Sequence, residues 1–152
     1  MKALSLTQPW ATLIGIKHIE TRPWSTNYRG ELAIHASKTF PRWAIELAIQ
    51  EPFRSALLSL GIRKLSELPL GAVISVTDLY RCRPTERLLE DPVLMSVQEE
   101  AFGDYSPGRF GLLLRHEVRL PEPIHCKGAL GLWDVPEETV ARIEEQLGRR
   151  FR

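Results

Sequence analysis

No run of about eighteen uncharged apolar residues, the length a membrane-spanning helix needs, occurs in this sequence. Cysteine is scarce. Cys82 and Cys126 form no disulfide framework, and the expectation is two reduced thiols in a cytoplasmic protein. An excess of charge is missing as well. Lys and Arg number 20 and Asp and Glu 19, for a formal net charge of +1, whereas a protein that coats duplex nucleic acid is far more basic, because phosphate neutralisation supplies much of its affinity. The opening MKALSLTQPWATLIGIKHIE has no long apolar centre or small-residue cleavage site, so a secretory signal is not expected. There is no G-x-x-x-x-G-K-[ST] phosphate loop, no dinucleotide glycine turn and no G-x-S-x-G nucleophile turn. His35, His116, His125 and the two cysteines are too scattered for ligand spacing, so neither a metal nor a cofactor is expected.

What is present is enough for one core. In 152 residues, 43% are apolar and 26% charged, which suits a single domain over 1–152 and leaves too little for two. KALSL at 2–6 reads as a strand. A turn at Thr7-Gln8-Pro9 leads into a helix at PWATLIGIK, with Pro9 in the first turn and Gly15 as a weak point. GELAIHA at 30–36 alternates Leu32 and Ile34 on one face, as a partly buried strand does. Residues 41–60 form the clearest helix, broken near Pro52 and stopped at Gly61. LGAVISVTDLYRC is a β-branched central strand, bulged near Asp78. Residues 84–108 are irregular with a short helix at VLMSVQEEAF, RFGLLLRHEVRL returns to strand, and PEP turns the chain. KGALGLWDV is the last strand, and a helix at about 136–148 starts from Asp134, Pro136 and Glu137 and stops at Gly148. Several strands interrupted by helices give an α+β domain, a curled sheet or barrel flanked by helices. The basic tail of Arg149, Arg150 and Arg152 reads as solvated.

The densest chemistry runs from Gln8 to His35. Two tryptophans, a lysine, a glutamate and an arginine fall at element edges within QPWATLIGIKHIETRPW. Lys17 and Glu20 share a face if the helix continues, and a turn can join them if it does not. Trp10 can be core, and Lys17 with Glu20 an ordinary surface pair. Together they can equally offer an aromatic to stack a base, an amide to read its edge, and opposed charges in a pocket.

The segments LSLTQPWA (4–11), IKHIETRPW (16–24), YRGELAIHA (28–36), GDYSPGRF (103–110) and KGALGLWDVP (127–136) closely resemble the ASC-1 homology (ASCH) family, a branch of the PUA-like superfamily. The resemblance implies a PUA-like small β-barrel flanked by helices. It also implies a cleft beside the QPWA turn for RNA, single-stranded nucleic acid or a modified nucleoside. On that footing Gln8 and Trp10 sit at the cleft floor or edge, Lys17, Glu20 and Arg22 supply its charges, Trp24 makes a wall and Arg29 meets phosphate. His35 is either structural or a pocket residue, and Gly71 permits a tight turn. Asp104, Tyr105, Ser106 and Arg109 lie in a loop over the cleft, with Arg109 alternatively paired to a carboxylate.

Some small proteins that resemble this one hydrolyse the acetyl amide of N4-acetylcytidine with a lysine, a threonine three residues on, and a later glutamate. Here Lys17 stands with Glu20 in the threonine's place, and the later acid is Glu99 or Glu100, with Glu100 taken into the catalytic set. A hydrolytic version would use Glu20 as general base and Lys17 to hold the oxyanion. A ribonuclease is a further alternative implied by similar domains. A protein partner is a third class, since such domains occur in transcription coactivators. The expected state is a monomer without a membrane association.

Overall fold

The structure, a computed structural model, describes residues 1–151; Arg152 of the basic tail lies outside the described residues. Six strands form one curled sheet in the order β2-β5-β4-β3-β1-β6. They are β1 (Lys2–Leu6), β2 (Ile19–Arg22), β3 (Gly30–Ala36), β4 (Ala72–Pro84), β5 (Phe110–His125) and β6 (Leu132–Asp134). β1 runs parallel to β3, and the other neighbours are antiparallel. The fold is therefore α+β, as the sequence indicates.

Strand periodicity builds two cores back to back. Leu4, Leu6, Leu32, Ile34, Leu79, Leu112 and Leu114 point to one face, where Ala11 and Ile14 cover them. Ala3, Ala33, Val73, Val76 and Trp133 point to the other, closed by Ile143 of the C-terminal helix. GELAIHA is thus buried on both faces from Leu32 onward, deeper than its alternation suggests.

Helices α1 (Trp10–Leu13), α2 (Arg42–Ala48), α3 (Phe53–Ser59), α4 (Thr85–Leu89), α5 (Val97–Phe102) and α6 (Glu137–Leu147) complete the chain. The first is far shorter than PWATLIGIK suggests. Gly15 has φ +109°, and a Cβ there would stand 2.8 Å from Glu117 Oε2, so the helix ends and the chain turns into β2. The long helix of 41–60 is two, split at Pro52. α4 lies in the stretch read as irregular.

Two further expectations are corrected. PEP is not a turn: Pro121 and Pro123 lie within β5, where the register with β4 slips between Val73 and Ser75. A bulge needs no ladder N–H from the residues it loops out, so proline costs little there. α6 has no side-chain N-cap, because its N-cap residue is Pro136, and the Asp134 carboxylate pairs with Lys2 Nζ at 3.0 Å. Gly148, at φ +65°, ends that helix in the left-handed conformation. Both cysteines are free thiols, and among the described residues no helix is long and apolar enough to cross a membrane.

Candidate nucleic-acid site

The turn after α1 and the start of β2 carry the charges. Ile14 bridges to Lys17, which drives the lysine side chain inward, and the sheet pairing of Glu20 with Leu112 brings Glu20 alongside. Lys17 is 1% exposed, and its Nζ donates to Glu20 Oε1 at 2.5 Å. The other carboxylate oxygen, Oε2, lies 3.4 Å from Arg22 Nε, an ion-pair contact without hydrogen-bond alignment. Arg22 Nη2 donates to the Ser5 carbonyl at 3.0 Å. Lys17 and Glu20 meet through a turn and a strand, not along a helix.

Glu20 and Arg22 face a cleft of about 460 Å³, within the range of small-ligand pockets. Trp10, Trp43, Leu47, Phe53 and Phe102 form its apolar side, and Asp104 and Arg109 its rim. Trp10 is fixed: its Nε1 donates to the Phe102 carbonyl at 2.7 Å, and its ring meets Phe53 edge-on at 5.4 Å. Trp43 stands 5.8 Å from Trp10 and is 57% exposed, an indole with an open face.

Lys17 does not line this cleft. It sits behind Glu20, beside a cavity of about 180 Å³ that also touches His18 and Glu117. The geometry therefore makes it the residue that holds Glu20 in place, and not a group that meets a ligand in the cleft. The later acid turned inward is Glu99, not Glu100. Glu99 is buried and its Oε1 accepts from the His18 backbone N–H at 2.7 Å, while Glu100 is exposed on the next helical position. Burial raises the Glu99 pKa, opposed by the His18 N–H and the nearby Lys17 charge. Its Oε2 and the Tyr105 hydroxyl are both buried without a partner. Burial raises the Tyr105 pKa, and the carboxylates of Glu99, Glu20 and Glu100 raise it further.

Other expected site residues are placed elsewhere. Gln8 is fully buried and its amide is used up, Oε1 accepting from Thr12 N–H at 3.1 Å and Nε2 donating to the Pro69 carbonyl at 3.0 Å. It builds the turn and does not line the cleft. Trp24 packs on the core of Leu4 and Leu6 and is not a cleft wall. Arg29 is exposed and donates to the Thr26 and Tyr28 carbonyls, away from the cleft. Ser106 is exposed and caps onto Asp104, and Tyr105 is buried beneath the loop. Arg109 does reach the rim, holding Thr21 O at 3.2 Å and Asp104 O at 3.0 Å. Trp43, Phe53 and Asp104 complete the site. Trp43 carries a legible signal, since α2 buries Ala44 and Ala48 and leaves an indole off that stripe.

His35 lies at the floor of a second cavity. Its Nε2 donates to the Cys126 carbonyl at 2.9 Å, so its Nδ1 accepts from the Ser5 hydroxyl at 3.0 Å, and Ser5 Oγ accepts from Trp133 Nε1 at 3.1 Å. Both nitrogens are engaged in the neutral tautomer, and burial pushes the pKa below the usual 6.5, with the Cys126 carbonyl opposing. The unfolded chain then takes up this proton first as pH falls, so His35 subtracts stability in the window just below 6.5 and leaves it unchanged above. Glu99, raised by burial, acts with the opposite sign, its contribution to stability falling as pH rises above 4.5. The site-specific check is the His35 imidazole resonance across a pH titration: a midpoint below 6.5 is expected, and one at or above 6.5 refutes the assignment.

Among the described residues no group of three His, Cys, Asp or Glu side chains is arranged to hold a metal ion. The ASCH domain model matches residues 4–119. Activating signal cointegrator 1 of Mus musculus is 33% identical over 102 residues, 65% of this chain and 17% of that protein. The Homo sapiens protein of the same name is 33% identical over 89 residues, 57% of this chain and 15% of its own length. The chain thus matches only a small part of these relatives. Among solved structures, ASCH from Zymomonas mobilis superposes with a TM-score of 0.55 at 15% identity, covering 97% of this chain and 92% of that one. A variant of that protein gives 0.58 at 14% identity over 95% and 94% of the two chains. Those likenesses concern the fold.

Proposed function

The chain belongs to the ASCH domain family, and from that membership and the cleft at β2 we propose that it binds single-stranded RNA, seating one base against Trp43 over the Glu20–Arg22 floor. Domains of this family generally bind nucleic acid. The observation that carries the reading is an open indole facing a fixed carboxylate–guanidinium pair across a cleft of about 460 Å³. The indole supplies a stacking surface that tolerates any base. Glu20 accepts from an exocyclic amino or ring N–H, and Arg22 donates to a neighbouring carbonyl or ring nitrogen on the same edge. Single-stranded RNA fits because its bases are free to be splayed out and stacked.

The test is a titration of tryptophan fluorescence with nucleosides and short RNA strands, N4-acetylcytidine among them, with mass spectrometry of the mixtures. Saturable quenching with the ligand recovered unchanged is the expected result. No quenching by any nucleoside or strand would sink the reading.

One feature favours a second reading, hydrolysis of the N4-acetyl amide: Glu20 is a carboxylate facing the cleft beside a guanidinium. Glu20 would take a proton from water as the hydroxide adds to the acetyl carbon, with Arg22 rather than Lys17 at the oxyanion. The proton would pass to N4 as the C–N bond breaks, giving acetate and cytidine. Against it, one Glu20 oxygen already accepts from Lys17 and the other faces Arg22, an arrangement suited to a fixed acceptor more than to a base that must pick up protons. Cytidine and acetate in the mass spectra would reverse the order of the two readings.

A further inference from the structure

Beyond Arg22 lies a second cavity, about 1090 Å³ and larger than the cleft, and Arg22 and Thr7 line both. Its cations are Arg22, Lys38 and Lys127, with His125 and His35 beside them, and no Asp or Glu lines it. In a chain with a formal net charge of +1, a concave wall of three cations without a carboxylate is a local departure. Among the described residues neither lysine takes part in an ion pair, whereas Arg22 contacts Glu20 at 3.4 Å. A cationic concavity with low-dielectric walls concentrates anions.

The walls are built to stay open. Gly128 packs so closely on the floor that a Cβ would stand 2.6 Å from His35 Cε1 and 2.6 Å from Ser5 Oγ. That contact pins the loop 127–131 against the neutral His35 network and carries Lys127 to the rim. On the opposite side Gly71, at φ +64°, donates its N–H to the Ala36 carbonyl at 2.8 Å and turns the chain beneath Lys38. Leu130, 98% exposed at the mouth, adds an apolar surface that no described residue covers.

Resting on the base-in-cleft reading, we propose that this second cavity takes the phosphodiester backbone next to the seated base, so that the ligand is a strand and not a free nucleoside. Arg22 is the hinge of the arrangement, because one guanidinium borders the base on one side and the sugar–phosphate path on the other. Lys38 and Lys127 meet the phosphates as point charges, which position the strand without reading its sequence.

The experiment compares a nucleoside, its 5′-monophosphate and a tetranucleotide of the same base, on the whole chain and on the Lys38→Ala/Lys127→Ala variant, at several salt concentrations. Both lysines are exposed, so the fold is preserved. The tetranucleotide should bind at least about tenfold more tightly than the nucleoside. The double variant should lose that increment, lower the salt slope by about 1.4 from two lost single-strand phosphate contacts, and bind the nucleoside unchanged. A tetranucleotide no tighter than the nucleoside, or an increment that survives loss of both lysines, overturns the groove. A monophosphate that carries the whole increment overturns the strand and leaves a mononucleotide site. Strand binding that needs the lysines but is indifferent to Trp43→Ala overturns the base-in-cleft reading instead, and no binding of any of the three overturns both.

Discussion

Replacement of Lys17 by Met should cost the fold about 3–5 kcal/mol, the range for breaking a buried ion pair from one side. Lys17 is 1% exposed and Glu20 8%, and the contact between them is a charge-assisted hydrogen bond at 2.5 Å. Met retains the apolar stem, so the loss reports the charge and not a cavity. What remains is a carboxylate at the cleft floor whose nearest cation, Arg22, stands at 3.4 Å without alignment. Glu99 loses the Lys17 charge that opposes its desolvation, which adds to the cost. Against a domain stability of about 5–15 kcal/mol, the variant should be folded only marginally. Urea unfolding measures it, and a double-mutant cycle separates the pair from its surroundings. Lys17→Met/Glu20→Gln should be less damaged than the sum of the two single changes, because no charge is then left buried alone. A Lys17→Met protein as stable as the parent would remove the lysine from the role of holding Glu20. This expectation departs from the one a surface or pocket lysine invites, where loss of the side chain weakens binding and spares the fold.

The sequence signals that survived were those set by local chemistry. β1, β3 and β4 announce themselves by alternation and β-branching, Pro52 and Gly61 divide and stop their helices, and Gly148 ends α6. The family resemblance is borne out at the level of membership, which follows from residues 4–119. What stayed hidden depended on partners far along the chain. IETR is four residues long with three polar side chains, and it is a strand because Phe110–Leu113 offers an edge some ninety residues later. α1 stops where Gly15 meets Glu117, a contact no local window contains. Glu99 and Glu100 are adjacent, and a helix separates their directions by about 100°. Only the backbone N–H of His18, some eighty residues earlier in the chain, selects Glu99 by donating to it. Gln8 illustrates the reverse error. Its amide looked available to a base, but the turn that presents it consumes both of its polar ends. The cationic cavity was hidden for the same reason, since Arg22 on β2, Lys38 after β3 and Lys127 in the loop before β6 meet only in the fold.

Truncation of Trp43 should separate binding from folding. The indole is 57% exposed, and its main aromatic contact is Trp10 at 5.8 Å. An aromatic pair contributes about 0.5–1.5 kcal/mol, and an exposed one sits at the low end, so Trp43→Ala should unfold within about 1 kcal/mol of the parent. Binding is a different matter. Stacking of a base on an aromatic side chain is worth about 1–3 kcal/mol by alanine substitution, which is about a 5- to 150-fold loss of affinity for RNA. Trp43→Phe should recover most of it, because phenylalanine keeps a π-face at the same helix position. The ligand-dependent fluorescence change should shrink in both variants, since Trp10 lies edge-on to Phe53 with its Nε1 tied to Phe102. Trp10→Ala cannot serve in its place, because that ring also supports Leu13, Phe53 and Phe102, and its loss would mix unfolding with lost affinity. A folded Trp43→Ala protein that binds RNA as tightly as the parent would mean that no base stacks on this indole. The floor of Glu20 and Arg22 would then have to seat its ligand against Trp10, which is less exposed than Trp43.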